Sequence, residues 1–320
     1  MLAVTIEATD AERPLDGLAV GERPEPELPD GWELVEVRAA ALNHHDLWAL
    51  RGVGPATRLP RVLGSDAAGV DSAGNEVVVH AMVGDPDWDG DELLDPRAAM
   101  LSDHFDGTFA ERVAVPRRNL VRKPAGLDFA AAACLPTAWL TAYRSLFDVA
   151  ELRPGATLLV QGAGGGLATA AIALGRAAGI RVWATGRSEA KRRRAVELGA
   201  DAAFEPGARL PERADAVLES VGEATWAHSV RAVRPGGTVV VAGMTTGGDP
   251  PAGLERMYTA KLRVVGTAMG TRAELERLVR FCEIAGVAPP IHARLPLARA
   301  REGFEAMAAG ELFGKVVLEP

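Results

Sequence analysis

Cysteine and tyrosine are scarce in this chain, at two each in 320 residues. Two cysteines, Cys134 and Cys282, cannot build a disulfide framework and point to a reducing, cytoplasmic setting. No apolar run reaches the roughly 18 residues that span a bilayer, so no membrane association is expected. The segment Met1–Glu7 reads as a strand with no basic region before an apolar core, so no signal peptide is expected. Basic charge is in deficit: the net charge of −8 weighs against nucleic acid as a partner. Repeats and low-complexity segments are missing too. What remains, 48% apolar and 24% charged residues, is the composition of a globular enzyme, and the length favours two domains.

The most telling stretch present is Val160-Gln161-Gly162-Ala163-Gly164-Gly165-Gly166-Leu167-Ala168. It follows the apolar run 157–160 and precedes a small-residue helix expected over 168–178. A strand, a glycine turn and a helix start let a backbone approach a pyrophosphate, and the helix N-terminus offers free N–H groups. Gly164, Gly165, Gly166 and Leu167 are the candidates for that contact. The strict G-x-G-x-x-G spacing is not met, because the sixth position from Gly162 is Leu167. Counted from Ala163, the pattern is A-x-G-x-x-A and ends at Ala168, where alanine still permits close helix–strand packing. A glycine-rich loop without a ligand is the alternative.

Residues 1 to about 125 alternate short apolar strands with Pro, Gly and Asp. Examples are 33–39, 76–80 running on to Met82, and 109–115, with one helix beginning near His44. From about 126 the pattern changes to helices alternating with short strands at 157–160, 181–184, 216–218, 237–242 and 262–265. That alternation implies a parallel sheet with helices on both faces. The end reads helix (272–285), loop, helix (297–309), strand (314–318). The acidic segment 84–107 reads as a solvated lobe. Asp85, Asp87, Asp89 and Asp91 alternate, but Pro86 interrupts them and no calcium-loop glutamate follows at the twelfth position.

In an NAD-binding unit an acid ends the second strand and binds the ribose 2′-hydroxyl. Here that strand is followed by Gly186-Arg187-Ser188. Arg187 can pair with a 2′-phosphate, Ser188 can donate to it, and Lys191 and Arg192 lie one turn further. The expected cofactor is therefore NADPH. Arg193 and Arg194 read as a solvated helix face.

Together these segments resemble the medium-chain dehydrogenase/reductase superfamily, and its zinc-free quinone oxidoreductase branch in particular. The resemblance is carried by the glycine loop and by 41–47 (ALNHHDL), 62–69 (VLGSDAAG), 107–111 (GTFAE) and 134–143 (CLPTAWLTAY). Segments 216–222 (AVLESVG), 236–243 (GGTVVVAG) and 314–318 (GKVVL) complete it. It implies an α/β fold: a GroES-like, mostly-β catalytic domain of residues 1–125 and 272–320, and a Rossmann doubly wound parallel-sheet domain of residues 126–271. Against the zinc-dependent members, their first cysteine ligand falls at Asn43, their histidine at Ser65, an adjacent glutamate at Asp66 and the third ligand at Thr137. Residues 84–108 hold no cysteine for a structural zinc, and Cys134 is expected to face elsewhere. The contiguous His44, His45 and Asp46 diverge on a helix or turn. No metal is expected.

Without a Lewis acid, hydride addition to a conjugated acceptor is favoured, because the charge spreads onto an enolate or phenolate oxygen that hydrogen-bond donors can hold. The expected reaction is NADPH-dependent reduction of a quinone or α,β-unsaturated carbonyl, the substrate being a small apolar carbonyl compound. An enoyl-thioester reductase, or an NADPH-binding protein with little turnover, are the alternatives. The resemblance implies Asn43, Asp46 and Trp48 as the catalytic set, with Asn43 also at the nicotinamide. Asn43 reads equally as a helix cap. The resemblance further implies Thr141, Val221, Gly243, Met244, Met269 and Lys315 at the cofactor, although Lys315 also reads as a solvated lysine. His44 and His45 are weaker candidates for an acid, and neither Tyr143 nor Tyr258 is an obvious one. Trp48, Leu50, Trp139, Met244 and Met269 are candidates for an apolar pocket. The strand 262–265 and the following GTAMG resemble the edge through which relatives pair, so a homodimer is expected.

Overall fold

The computed structural model describes residues 1–54 and 58–320. The chain divides into two units, Met1–Ala138 with Gly270–Pro320, and Trp139–Met269.

The first unit is mostly β. Its largest sheet runs Leu120–Arg122, Glu76–Val79, Asp66–Asp71, Trp32–Ala41, Lys315–Glu319 and Ile291–Pro296, with Arg112–Pro116 also paired to Trp32–Ala41. Along the long strand Val35 and Val37 are buried while Leu34 is half-buried and Glu36 and Arg38 are exposed, the period-two pattern of a strand with one face on the core. Its far end positions the site. Ala41 pairs with Asp66 on one side and with Val317 on the other. Two residues later the chain turns at Asn43 into the helix His44–Leu50. Val4, Ile6, Val35, Val37, Leu50, Leu63, Phe109 and Phe304 lie in the core beneath.

Three expectations need correction here. The unit extends to Ala138 rather than 125, because the helix Phe129–Ala133, with Ala130 to Ala133 buried, lies on the strands Trp32–Ala41 and Asp66–Asp71. The expected loop before the last helix contains the strand Ile291–Pro296, parallel to Lys315–Glu319. The strands expected over 76–82 and 109–115 are shorter, at Glu76–Val79 and Arg112–Pro116.

The second unit is a six-stranded parallel sheet in the order Ala202–Phe204, Arg181–Thr185, Thr157–Val160, Ala214–Glu219, Val233–Val241, Arg263–Gly266. Counted from Thr157–Val160 as the first strand, this is 3-2-1-4-5-6, the doubly wound Rossmann order. Helices Gly166–Ala177, Glu189–Leu198, Glu223–Ala232 and Leu254–Ala260 make the crossovers. The first strand is buried throughout, as a central parallel strand covered on both faces must be. The three-residue strand Ala202–Phe204 is too short to have stood out in the sequence.

Candidate active site

In the second unit the candidate cofactor residues fall where an open parallel sheet binds ligands, just past the carboxyl ends of the strands. The first strand ends at Val160 and the chain turns at Gly162, with φ +84°, a conformation open to glycine at little cost. Gly165 caps the helix Gly166–Ala177, and Gly165 is exposed. The helix therefore starts two residues before the expected Ala168. Past the second strand, a Cβ on Gly186 would come within 3.1 Å of the Ala163 side chain, so the two turns touch. Gly243, after the fifth strand, leaves a Cβ only 2.9 Å from the Ser220 carbonyl oxygen. Val221 is half-buried beside it, and Met244 is exposed. After the sixth strand the Met269 N–H donates to Thr141 Oγ1 at 2.9 Å, joining two candidates 128 positions apart.

A buried polar network braces these turns. Thr185 Oγ1 accepts from the Gly162 N–H at 3.2 Å and donates to Gln161 Oε1 at 2.7 Å. Gln161 Nε2 donates to Ser229 Oγ, which donates to Glu219 Oε2 at 2.6 Å. Glu219 also accepts from the Val221 and Gly222 N–H groups and from Thr225. Gln161 and Glu219 were overlooked as site residues. Their signal was present, a polar residue directly after an apolar run, Leu158–Val160 and Ala216–Leu218.

At the second strand's end Arg187 is exposed, and its guanidinium makes no hydrogen bond or ion pair among the described residues. Ser188 caps the helix Glu189–Leu198, its Oγ accepting from the Lys191 N–H at 3.4 Å. Arg192 is used differently from the expected phosphate contact. It donates to the Gly186 and Arg187 carbonyls and lies 3.3 Å from Glu205, so it ties the turn together.

In the first unit the chemistry collects at the turn before His44–Leu50. The Asn43 N–H donates to Asp46 Oδ2 at 2.7 Å, the return half of a capping box. Asp46 is wholly buried, and burial pushes its carboxyl up to about 6, against the pull of His45, the Asn43 N–H and Lys315. Its Oδ1 has no partner among the described residues. His45 pairs with Asp103 at 3.3 Å; burial lowers its pKa, but Asp103 and Asp46 outweigh that and hold it above the ordinary value. His44 is lowered by burial and stacks edge-on against Trp48, which is half-buried.

The three expected ligand positions, Asn43, Ser65 and Thr137, do meet with Asp66, and the Lys315 ammonium joins Asn43 to Asp66. Lys315 Nζ lies 2.5 Å from Asn43 Oδ1, 2.6 Å from the Leu42 carbonyl oxygen and 3.1 Å from Asp66 Oδ2. Thr137 Oγ1 donates to Asp66 Oδ1 at 2.5 Å and lies 3.2 Å from Ser65 Oγ. Lys315 is therefore no solvated lysine, since it and Asp66 are almost wholly buried. Zinc binds thiolate, imidazole and carboxylate groups converging on one point. Here three of the four side chains are neutral oxygen or amide groups, and Lys315 already balances the one carboxylate. No three His, Cys, Asp or Glu side chains come together as a metal site among the described residues. The donor set does not fit a zinc ion. Cys134 is buried, donates to the Ala130 carbonyl, and has its thiol pushed up by burial to about 12.

Of the apolar-pocket candidates, Leu50 and Trp139 are fully buried. In the acidic segment, Asp91 and Asp95 accept from nearby backbone N–H groups, which is turn building rather than cation binding.

Two family models match, "Alcohol dehydrogenase GroES-like domain" over residues 29–125 and "Zinc-binding dehydrogenase" over residues 166–283. A crystal structure of an NAD-dependent alcohol dehydrogenase superposes with a TM-score of 0.92 at 34% identity, covering 100% of both chains. The chain belongs to the medium-chain dehydrogenase/reductase superfamily. It is thus an oxidoreductase with a GroES-like domain and a Rossmann domain. Among other members, an acryloyl-coenzyme A reductase of Sulfurisphaera tokodaii is 27% identical over 96% of this chain and 98% of its own. The structure of a 2-octenoyl-CoA carboxylase reductase in complex with NADP and 2-octenoyl-CoA has a TM-score of 0.91 at 26% identity, covering 99% of this chain and 87% of that one. No helix among the described residues is long and apolar enough to cross a membrane.

Proposed function

We propose that this member of the superfamily is an NADPH-dependent, zinc-independent reductase of quinones or α,β-unsaturated carbonyl compounds, of the zinc-free branch. The observation that carries the reading is the cluster of Asn43, Ser65, Asp66, Thr137 and Lys315, whose groups do not fit a zinc ion and whose Asn43 carboxamide, held only by contacts of 3.3 and 3.4 Å, brings N–H donors. Such donors suit an acceptor whose charge ends on an enolate or phenolate oxygen. They suit an unactivated alcohol poorly.

The cradle of Gly164, Gly165, Gly166 and Leu167 holds the pyrophosphate, and the close approaches at Gly186 and Gly243 keep the strand ends clear of side chains. Arg187, with Ser188 and Lys191, binds the 2′-phosphate. Val221, Met244, Met269 and Thr141 flank the rest of the dinucleotide. NADPH, when bound, supplies the hydride. Asn43 donates to the acceptor oxygen, Trp48 lines the acceptor pocket, and Asp46 anchors the Asn43 backbone. Residues 1–138 with 270–320 form the catalytic domain, and residues 139–269 the NADPH domain.

The enoyl-thioester alternative shares the same acceptor chemistry, and the acryloyl-coenzyme A and 2-octenoyl-CoA relatives favour it. The strand Arg263–Gly266 is paired on one side only among the described residues, with Val264, Leu254 and Tyr258 exposed nearby in sequence. An open edge with apolar neighbours is a template for pairing, and we place the homodimer contact there, in a cytoplasmic protein. A monomer by light scattering at micromolar concentration would remove that assignment.

The test is NADPH oxidation by 1,4-benzoquinone, a simple enone and crotonyl-CoA, using chelator-treated protein with NADH as control. Turnover with NADPH and no metal is expected, and the preferred acceptor separates quinone, enone and thioester. Activity restored only by zinc, or tight NADPH binding without turnover on any acceptor, would overturn the reading.

A further inference from the structure

An ammonium carries three N–H donors. Lys315 directs all three at its own cluster: Leu42 O, Asn43 Oδ1 and Asp66 Oδ2. None is left for a cofactor or substrate. Yet the arrangement decides something about Asn43. Of the two ends of a carboxamide only the oxygen can accept from an ammonium, so the 2.5 Å contact sets the oxygen on Lys315 and turns the NH₂ away.

The remaining hydroxyls then order themselves in one direction. The Asn43 NH₂ donates to Ser65 Oγ at 3.3 Å. The Thr137 hydroxyl is committed to Asp66 Oδ1. Ser65 therefore donates to Thr137 Oγ1, at 3.2 Å. Both arms start at the Lys315 ammonium and end on the two oxygens of Asp66, closing a ring. Bonds in such a ring polarise one another in a low-dielectric interior. The second Asn43 N–H has the Ala41 carbonyl oxygen at 3.4 Å; both contacts of the NH₂ are long, so neither holds its hydrogen firmly.

We propose that Lys315 is a positioning residue, which acts through this ring to hold the Asn43 carboxamide NH₂-forward as the donor to the reacting oxygen. The inference rests on the assignment of Asn43 as that donor. It differs from the cofactor contact that the resemblance implies for Lys315, and the two make opposite predictions for NADPH affinity.

Three measurements test it. Asn43→Asp keeps an oxygen on Lys315 and replaces the NH₂ by a second oxygen; kcat is expected to fall roughly 100-fold, the scale of losing one oxyanion donor. The double variant Lys315→Met/Asp66→Asn removes both charges together, so no buried ion is orphaned. It is expected to lower kcat about 10-fold through misplacement of the carboxamide, with NADPH affinity held. The chain contains only three asparagines, Asn43, Asn75 and Asn119, so selective ¹⁵N-asparagine labelling gives three carboxamide signals. The Asn43 pair, identified by its disappearance in Asn43→Asp, is expected to exchange slowly in the wild type and to lose that protection in the double variant. Asn43→Asp with full activity, a double variant with wild-type kcat, or one that loses NADPH affinity instead, would overturn the inference and leave the proposed reaction standing. If the wild type turns over no acceptor, the proposed reaction fails. The labelling still decides the ring, and unchanged Asn43 protection in the double variant would sink it.

Discussion

The two charged sites of this molecule are built on opposite principles. In the GroES-like unit, Lys315 and Asp66 are almost wholly buried and every donor is spent on a neighbour. In the Rossmann unit, Arg187 stands exposed and its guanidinium is unpaired among the described residues. A charge already matched inside the chain acts by fixing its neighbours. A charge left unmatched beside a glycine turn is available to a ligand. The difference is between a charge that fixes its neighbours and one left open to solvent, and neither burial nor residue type alone would have shown it.

The sharpest way to break the comparison is Asp66→Ala. It leaves the Lys315 ammonium buried without its counter-charge, which should destabilise the protein by about 3–5 kcal/mol. Chemical denaturation followed by far-UV circular dichroism checks this, and a loss below about 1 kcal/mol, the scale of an exposed pair, would place the cluster with surface ion pairs.

Next in size is Asp46. Its carboxyl is raised to about 6 from an ordinary value of 3.8, chiefly by burial. Below both values the group is protonated in the folded and unfolded chain, and it has no effect. As pH rises from about 4 to 6, the unfolded chain releases the proton first, so this group lowers stability progressively. Its full effect, about 3 kcal/mol, is reached above pH 6. Asp46→Asn should remove that falling component from a series of unfolding curves between pH 4 and 7. A variant whose pH profile overlays the wild type would show that the carboxyl is not perturbed.

Arg187→Ala should weaken NADPH by about 1.5–3 kcal/mol, the worth of a charge-assisted hydrogen bond, and leave NADH nearly unchanged. Fluorescence titration with both nucleotides reads the difference, and equal losses would refute the 2′-phosphate assignment. The smallest effect belongs to Ser188→Ala, which removes the cap of the helix Glu189–Leu198 and should cost about 1 kcal/mol. Hydrogen exchange localised to that helix is the suitable readout. Uniform loss across the unit would mean the cap does more than hold one helix end.

Much of this was legible in the chain itself. The strand–glycine–helix passage at 157–168 and the run of alternating strands and helices specify a doubly wound sheet, because period and turn chemistry are local properties. The absence of an acid at Gly186-Arg187-Ser188 is likewise written in the residues. The strand Ile291–Pro296 was harder to see, since its alternation is carried by half-buried residues beside exposed His292 and Arg294. What the chain could not show by itself is pairing at long range. Asn43, Ser65, Asp66, Thr137 and Lys315 span more than 270 positions, and nothing local in GKVVL marks its lysine as buried rather than solvated. Only the register that sets Ala41 between Asp66 and Val317 brings that ammonium to Asn43. Local sequence chose the elements, because propensity and periodicity act over a few residues. The tertiary structure decided which charges were matched, because that depends on sheet partners that no local pattern specifies.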